Sequence, residues 1–139
     1  MRPVRPELTY IAEDLGRDDP ELVAIRRQLA EQGLEYMSVA LSEVRILQFL
    51  SRGFGIRRVI EIGAPLGYSS VCTAKALPQD GRIISIEHDV ERCAVANARE
   101  SSVAAKTDVR CGDALAELRE IKGPVDMVFI DANKSGYLA

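Results

Sequence analysis

Residues 59–77 read VIEIGAPLGYSSVCTAKAL. Val59, Ile60, Glu61 and Ile62 run straight into Gly63, Gly67 follows four positions later, and a helical pattern then begins. Apolar and β-branched residues ending at a glycine describe a buried strand that stops in a turn. Gly63 and Gly67 let the backbone approach another group closely, and the helix after them starts with unpaired N–H donors. Two readings stand side by side: a ligand-binding turn, or only the end of a strand and the start of a helix.

The same texture continues outward from this stretch. RVIEIG is a strand, and YSSVCTAKAL is a helix closed by Pro78. After the turn QDG come the strand RIISIE, Asp89 as a cap, and the helix VERCAVANARES. TDVRC, DALAELREIKG and VDMVFID then read as strand, helix and strand. Strands and helices in strict alternation, with near-continuous apolar strands, predict an α/β, Rossmann-like, doubly wound parallel sheet covered on both faces. Upstream the pattern is helical. ELTYIAEDL is a short amphipathic segment; in GRDDPELVAIRRQLAEQG, Asp18 or Asp19 caps, Pro20 fits the first turn, and Leu22, Ile25 and Leu29 share a face. LSEVRILQFLSRG offers Ser42 as cap and Gly53 as terminator, with Val44, Leu47 and Leu50 facing inward. The expected organisation is one domain over residues 1–139, with a helical region at 1–55 and a βα core at 56–139.

Bulk composition narrows the function. Of 139 residues, 18 are Lys or Arg and 21 are Asp or Glu, so the net charge of −3 shows no basic face suited to nucleic acid. No apolar run reaches the ~20 residues that span a bilayer, and MRPVRPELTY lacks the apolar centre of a signal peptide. Cys72, Cys93 and Cys111 are odd in number and widely spaced, which fits neither a disulfide framework nor a zinc site and suggests a reduced, cytoplasmic setting.

Glu87 closes the strand RIISIE about two dozen residues after Gly63, near the spacing at which a carboxylate holds a ribose hydroxyl pair. A nicotinamide dehydrogenase uses the same geometry, but with a three-glycine fingerprint. In Gly63-Ala-Pro-Leu-Gly-Tyr68 a proline stands at the middle glycine, so a nucleoside without phosphates suits the turn better than a pyrophosphate.

EIGAPLGYSS, SIEHD, CGDALAEL and FIDANKSGY, in that order and spacing, resemble the cation-dependent class I O-methyltransferases that use S-adenosylmethionine, of the caffeoyl-CoA and catechol type. The likeness runs over nearly the whole chain, including EYMSVALSEVRILQFL. It implies methyl transfer to a hydroxyl of a small catechol-like or CoA-linked phenolic acceptor, with a divalent cation such as Mg²⁺ assisting. Separately, the strand VDMVFID would have a long, apolar, unpaired outer edge, which predicts a homodimer or larger assembly. By the same resemblance, Glu61, Gly63, Gly67 and the Tyr68-Ser69 corner surround the methionine end of the cofactor, and Glu87 holds its ribose. His88 lies near the adenine or is only solvated. Asp113 and Ala114 face the adenine amino group, or Asp113 is simply a helix cap. Met37 and Ser38 cover the cofactor, with core packing the other reading of Met37.

The chemistry implied by the resemblance sits at FIDANKSGY. Asp131 would ligate the cation and border the cofactor, and Lys134 would accept the acceptor's proton, its pKa lowered beside a cation. The plainer reading makes them a surface pair after a strand. Two departures from the family pattern stand out. Asn133 occupies the place of the family's second acid. The family also continues through a further helix and three more strands that carry an aspartate and an asparagine ligand, so a C-terminally truncated chain is expected here. Two alternatives accompany the enzyme reading: a non-catalytic fragment that binds cofactor, and a methyltransferase acting on a tRNA hydroxyuridine, which the acidic balance disfavours.

Overall fold

The structure, a computed structural model, describes residues 19–98 and 101–132. The segment ELTYIAEDL, Asp18, residues 99–100 of the helix expected over VERCAVANARES, Asn133 and Lys134 lie outside the described residues. Two helices come first, α1 (Pro20–Glu31) and α2 (Leu41–Gly53). The alternating core follows: β1 (Arg58–Ile62), α3 (Tyr68–Ala76), β2 (Arg82–Glu87), α4 (Val90–Ala98), β3 (Thr107–Cys111), α5 (Ala114–Glu120) and β4 (Met127–Ile130). All strand pairs are parallel, in the order β3-β2-β1-β4. This is the α/β Rossmann-like arrangement expected from the alternation.

Local signals account for most of the boundaries. Asp19 caps α1 by accepting the Leu22 N–H at 3.1 Å, Pro20 occupies the first helical turn, and Leu22, Ile25 and Leu29 are buried. Asp89 caps α4 through the Arg92 N–H at 3.0 Å, and Asp113 caps α5 through the Ala116 N–H at 2.9 Å.

In α2 the expected cap and the expected inward face both need correction. The helix begins at Leu41, so Ser42 lies inside its first turn; Glu43 instead reaches back to accept the Ala40 N–H at 2.7 Å. Its buried residues are Val44, Gln48 and Ser51, while Ile46 and Phe49 are exposed. The polar pair is tolerated because each is satisfied. Gln48 Nε2 donates to the Cys72 carbonyl at 2.8 Å and Ser51 Oγ to the Leu47 carbonyl at 2.8 Å.

Strand alternation divides the core into two layers. Val59 and Ile83 join Leu22, Ile25, Leu29, Val44, Tyr68 and Val71 on the face covered by α1, α2 and α3. Ile60, Ile84 and Ile86 pack with Ala114, Leu118 and Ile121 on the other. That second face carries only the short α5 among the described residues, so Val128 and Ile130 of β4 remain 52% exposed. Coverage of both faces is therefore complete over the centre of the sheet and partial over β4. No described helix is long and apolar enough to cross a membrane.

The cysteines also depart from expectation. Cys93 and Cys111 are joined by a disulfide, with Cα atoms 5.8 Å apart, and Cys72 is a buried free thiol. An odd count hid a pair that only the β2–β3 register brings within reach.

An ionic clamp fastens α1 to the core. Lys75 Nζ lies 2.8 Å from both Asp19 and Glu21, and the Ser101 and Ser102 hydroxyls each donate to Glu21 at 2.6 Å. Partial burial pushes the Glu21 carboxyl up, but Lys75 and the two hydroxyls outweigh it and hold its pKa at about 2 against an ordinary 4.5. A depressed carboxylate pKa contributes stability that is full above 4.5 and is lost as pH falls toward 2. Glu21→Gln should cost about 2 kcal/mol at neutral pH. Wild type and variant should converge in acid melts over that window; parallel curves would show that the clamp contributes nothing.

Candidate functional site

A parallel sheet brings the carboxyl ends of all its strands to one edge, and four loops meet there. The Gly63 N–H donates to the Ile86 carbonyl at 2.9 Å, Gly112 N–H to the Glu87 carbonyl at 3.0 Å, and Asp131 N–H to the Ile62 carbonyl at 2.9 Å. The turn after β1, the Glu87-His88-Asp89 corner, the start of α5 and the end of β4 are thereby neighbours.

Gly63 has φ +86°, and a Cβ placed on it would lie 2.5 Å from the Asp131 carbonyl oxygen and 2.9 Å from the carbonyl carbon. Only glycine fits there. Gly67 has φ +75° and forms the N-terminal boundary of α3. Between them Pro65–Gly67 makes a 3₁₀ turn in which Leu66 is left-handed, φ +53°, and fully buried.

Glu87 is 3% exposed, and its carboxylate is gripped from two sides. Oε2 accepts the Ala64 N–H at 3.3 Å and Oε1 the Asp89 N–H at 3.0 Å, which fixes the side chain between the first and second loops. The exposed His88 places Nδ1 3.2 Å from the same Oε1. Oε2 keeps a lone pair for a ligand hydroxyl, and Oε1 keeps one when His88 does not donate to it.

Glu61 lies beneath the turn and is fully buried. Its Oε2 accepts from the hydroxyls of Ser70 and Ser85, the latter at 2.7 Å, and those two hydroxyls are 2.9 Å apart. Oε1 has no partner at hydrogen-bond geometry among the described residues. Burial pushes the Glu61 carboxyl above the ordinary carboxylate range; the hydroxyls of Ser69, Ser70 and Ser85 oppose this, and the negative charge of Asp131 adds to the push. An orphaned buried oxygen beside a cradle that admits no side chain has room for a hydrogen-bond donor, from water or from a bound molecule.

The remaining sequence candidates fall as follows. Tyr68 is 1% exposed, with the Arg26 guanidinium 4.3 Å from its ring centre, so its side chain is core and only its backbone faces the turn. Ser69 is buried beside it. Asp113 is an exposed cap, and Ala114 opens α5 against Ile60, Ile84 and Ile86. Met37, in the 3₁₀ turn Glu35–Met37, and Ser38 are half-buried. Asp131 is half-buried at the end of β4. Ser70, Ser85 and Leu66 were not singled out from sequence; a hydroxyl at Ser85 within the apolar run RIISIE was the available signal.

A sequence profile described as O-methyltransferase matches residues 13–139. The chain belongs to the O-methyltransferase family. It is 36% identical over 134 residues to a catechol O-methyltransferase of Niastella koreensis, a match covering 92% of this chain and 61% of that one. It is 31% identical to a catechol O-methyltransferase of Mycobacterium tuberculosis, over 100% of this chain and 65% of that one. Among solved structures it resembles the Streptomyces achromogenes O-methyltransferase TomG in complex with SAM, with a TM-score of 0.83, 35% identity and coverage of 91% and 59%. A Bacillus cereus O-methyltransferase in complex with SAH gives 0.84, 28%, and 91% and 60%. This O-methyltransferase chain thus spans less than two thirds of the length of the relatives it matches.

Gly63→Ala tests the cradle. The added methyl must displace the Asp131 backbone and also occupy a left-handed φ, so a loss of about 1–3 kcal/mol is expected in chemical denaturation. An unchanged midpoint would show that the β1 and β4 loops are not held against each other.

Proposed function

We propose that the chain binds S-adenosylmethionine at this edge and serves methyl transfer to a hydroxyl of a small catechol-like or CoA-linked phenolic acceptor. The observation that carries the reading is Glu87: buried, clamped by two backbone N–H groups, and set beside a turn that only glycine can make. Relatives named catechol and caffeoyl-CoA O-methyltransferase, and neighbours solved with SAM or SAH, support it.

In this reading Glu87 holds the ribose hydroxyls, and His88, Asp113 and Ala114 border the adenine. Gly63, Gly67 and the backbone of Tyr68 and Ser69 pass close to the methionine end. Glu61, with its open oxygen, faces the polar groups there directly or through water. Met37 and Ser38 close over the bound molecule. The bound cofactor supplies an electrophilic methyl on a sulfonium. The protein's part is to fix its orientation and keep the acceptor oxygen in line with that methyl, from which most of the acceleration comes.

A divalent cation fits the described residues poorly. No group of three or more His, Cys, Asp or Glu side chains lies together among them, and of the ligands that the resemblance implies only Asp131 is among them. Lys134, by family resemblance the base for the acceptor hydroxyl, is outside the described residues.

Calorimetric titration with S-adenosylmethionine should give saturable binding, and Glu87→Ala should weaken it about tenfold to a hundredfold, the worth of lost charge-assisted hydrogen bonds. Equal affinity of the two proteins would remove Glu87 from the site. Tighter binding of NAD would overturn the reading altogether. Turnover with a catechol and with a CoA-linked phenol, compared with that of Lys134→Ala, tests the transfer itself.

A further inference from the structure

The Cys93–Cys111 disulfide completes a ring of links around Glu87. Going one way, Asp89 N–H is bonded to Glu87 Oε1, and Asp89 holds the first turn of α4 through the Arg92 and Cys93 N–H groups at 3.0 Å each. Going the other way, Cys111 is the register partner of Glu87 across the β2–β3 ladder, and the next residue, Gly112, donates its N–H to the Glu87 carbonyl. The sulfur–sulfur bond joins the two arms. The cap residue Asp113 follows directly on the β3 side.

We propose that Cys93 and Cys111 form a reversible thiol–disulfide switch whose closed state holds the adenosine half of the site in its binding geometry. The inference rests on the reading of Glu87 as the ribose-holding carboxylate. Cys93 is fully buried whereas Cys111 is exposed, so exchange enters at Cys111. To close the switch, the Cys111 thiolate attacks a small disulfide oxidant such as glutathione disulfide and releases one glutathione thiolate. The Cys93 thiolate then displaces the second glutathione from the mixed disulfide. Two protein thiols are oxidised, one disulfide is reduced to two thiols, and the two protein protons pass to the departing glutathiones. A dithiol reductant reverses the sequence, attacking the Cys111 sulfur and freeing Cys93.

Opening the bond leaves α4 held to the β3 edge only by the connecting backbone and non-covalent contacts. The Asp89 corner, and with it one of the two clamps on Glu87, then gains freedom that the ligand must remove on binding. The closed form should bind S-adenosylhomocysteine fivefold to tenfold more tightly than the open form and melt several degrees higher.

The test equilibrates the full chain in glutathione buffers of graded poise. Thiols are counted by alkylation and mass spectrometry, and S-adenosylhomocysteine affinity is measured by calorimetry at each end. Cys93 and Cys111 should titrate together while Cys72 stays reduced. The Cys111→Ser chain, altered at an exposed position, should bind like reduced wild type in every buffer. Independent alkylation of Cys93 and Cys111 at all poises, or an affinity unaffected by poise, overturns the switch alone. If the pair titrates as one but neither form binds S-adenosylhomocysteine, the ribose reading of Glu87 fails, and the switch falls with it.

Discussion

No side chain can stand at position 63. The carbonyl of Asp131 occupies the space where a Cβ would be, and the backbone there is left-handed. Much of the functional edge depends on this one close approach. It lets the turn after β1 lie against the end of β4, so Asp131 is brought to the same edge as Glu87. It also aims the chain so that the next N–H, that of Ala64, reaches the Glu87 carboxylate. A larger residue would separate the two loops and release that clamp together.

Around this approach the protein buries two carboxylates and treats them differently. Glu87 is satisfied by backbone N–H groups on both oxygens, donors whose positions the fold fixes. Glu61 has flexible hydroxyls on one oxygen and none at bonding geometry on the other among the described residues, and its burial favours the neutral form. An isolated buried charge is costly, and a charged ligand group or water near Oε1 would remove much of that cost. If the proposed ligand binds beside Oε1, its binding and the ionisation of Glu61 are coupled by the same desolvation that raises the Glu61 pKa. Ser70 and Ser85 set how strongly.

The strands were legible from sequence because each is a short apolar run bounded by strong punctuation. RIISIE and TDVRC match β2 and β3 to the residue, and Asp19, Asp89 and Asp113 all cap as their positions suggested. The wrong cap at Ser42 was a local error of one helical turn, but two other misreadings share a cause: each depends on a partner distant in the chain. The inward face of α2 could not be seen because Gln48 is buried by a bond to the Cys72 carbonyl, 24 residues away. The disulfide was hidden because its cysteines are separated by 18 residues and meet only through the β2–β3 register. At the site, the family motifs marked Glu87 and Gly63. They gave no hint that Tyr68 points its ring into the core, since a tyrosine at the mouth of a ligand turn looks like a contact until Arg26 is found over it.

That ring also explains why the first helix belongs to the site although it never reaches the edge. Leu66 holds a left-handed backbone that costs a non-glycine residue about 1 kcal/mol or more. Such a conformation persists only where burial of the side chain outweighs it. Leu66 and Tyr68 are both sealed in the layer that contains Leu22, Ile25 and Leu29 of α1, and Arg26 of the same helix covers the Tyr68 ring. Glycine permits the turn at 63 and 67, but α1 is what makes the strained residue between them favourable. The Lys75 clamp to Asp19 and Glu21 fastens that helix at its N-terminal end. Loosening α1 would relax Leu66 toward a right-handed backbone and move the Ala64 N–H away from Glu87. The geometry of the ligand edge is thus set from beneath, by packing on the face opposite α5, and damage to α1 would reach the site without touching a residue that lines it.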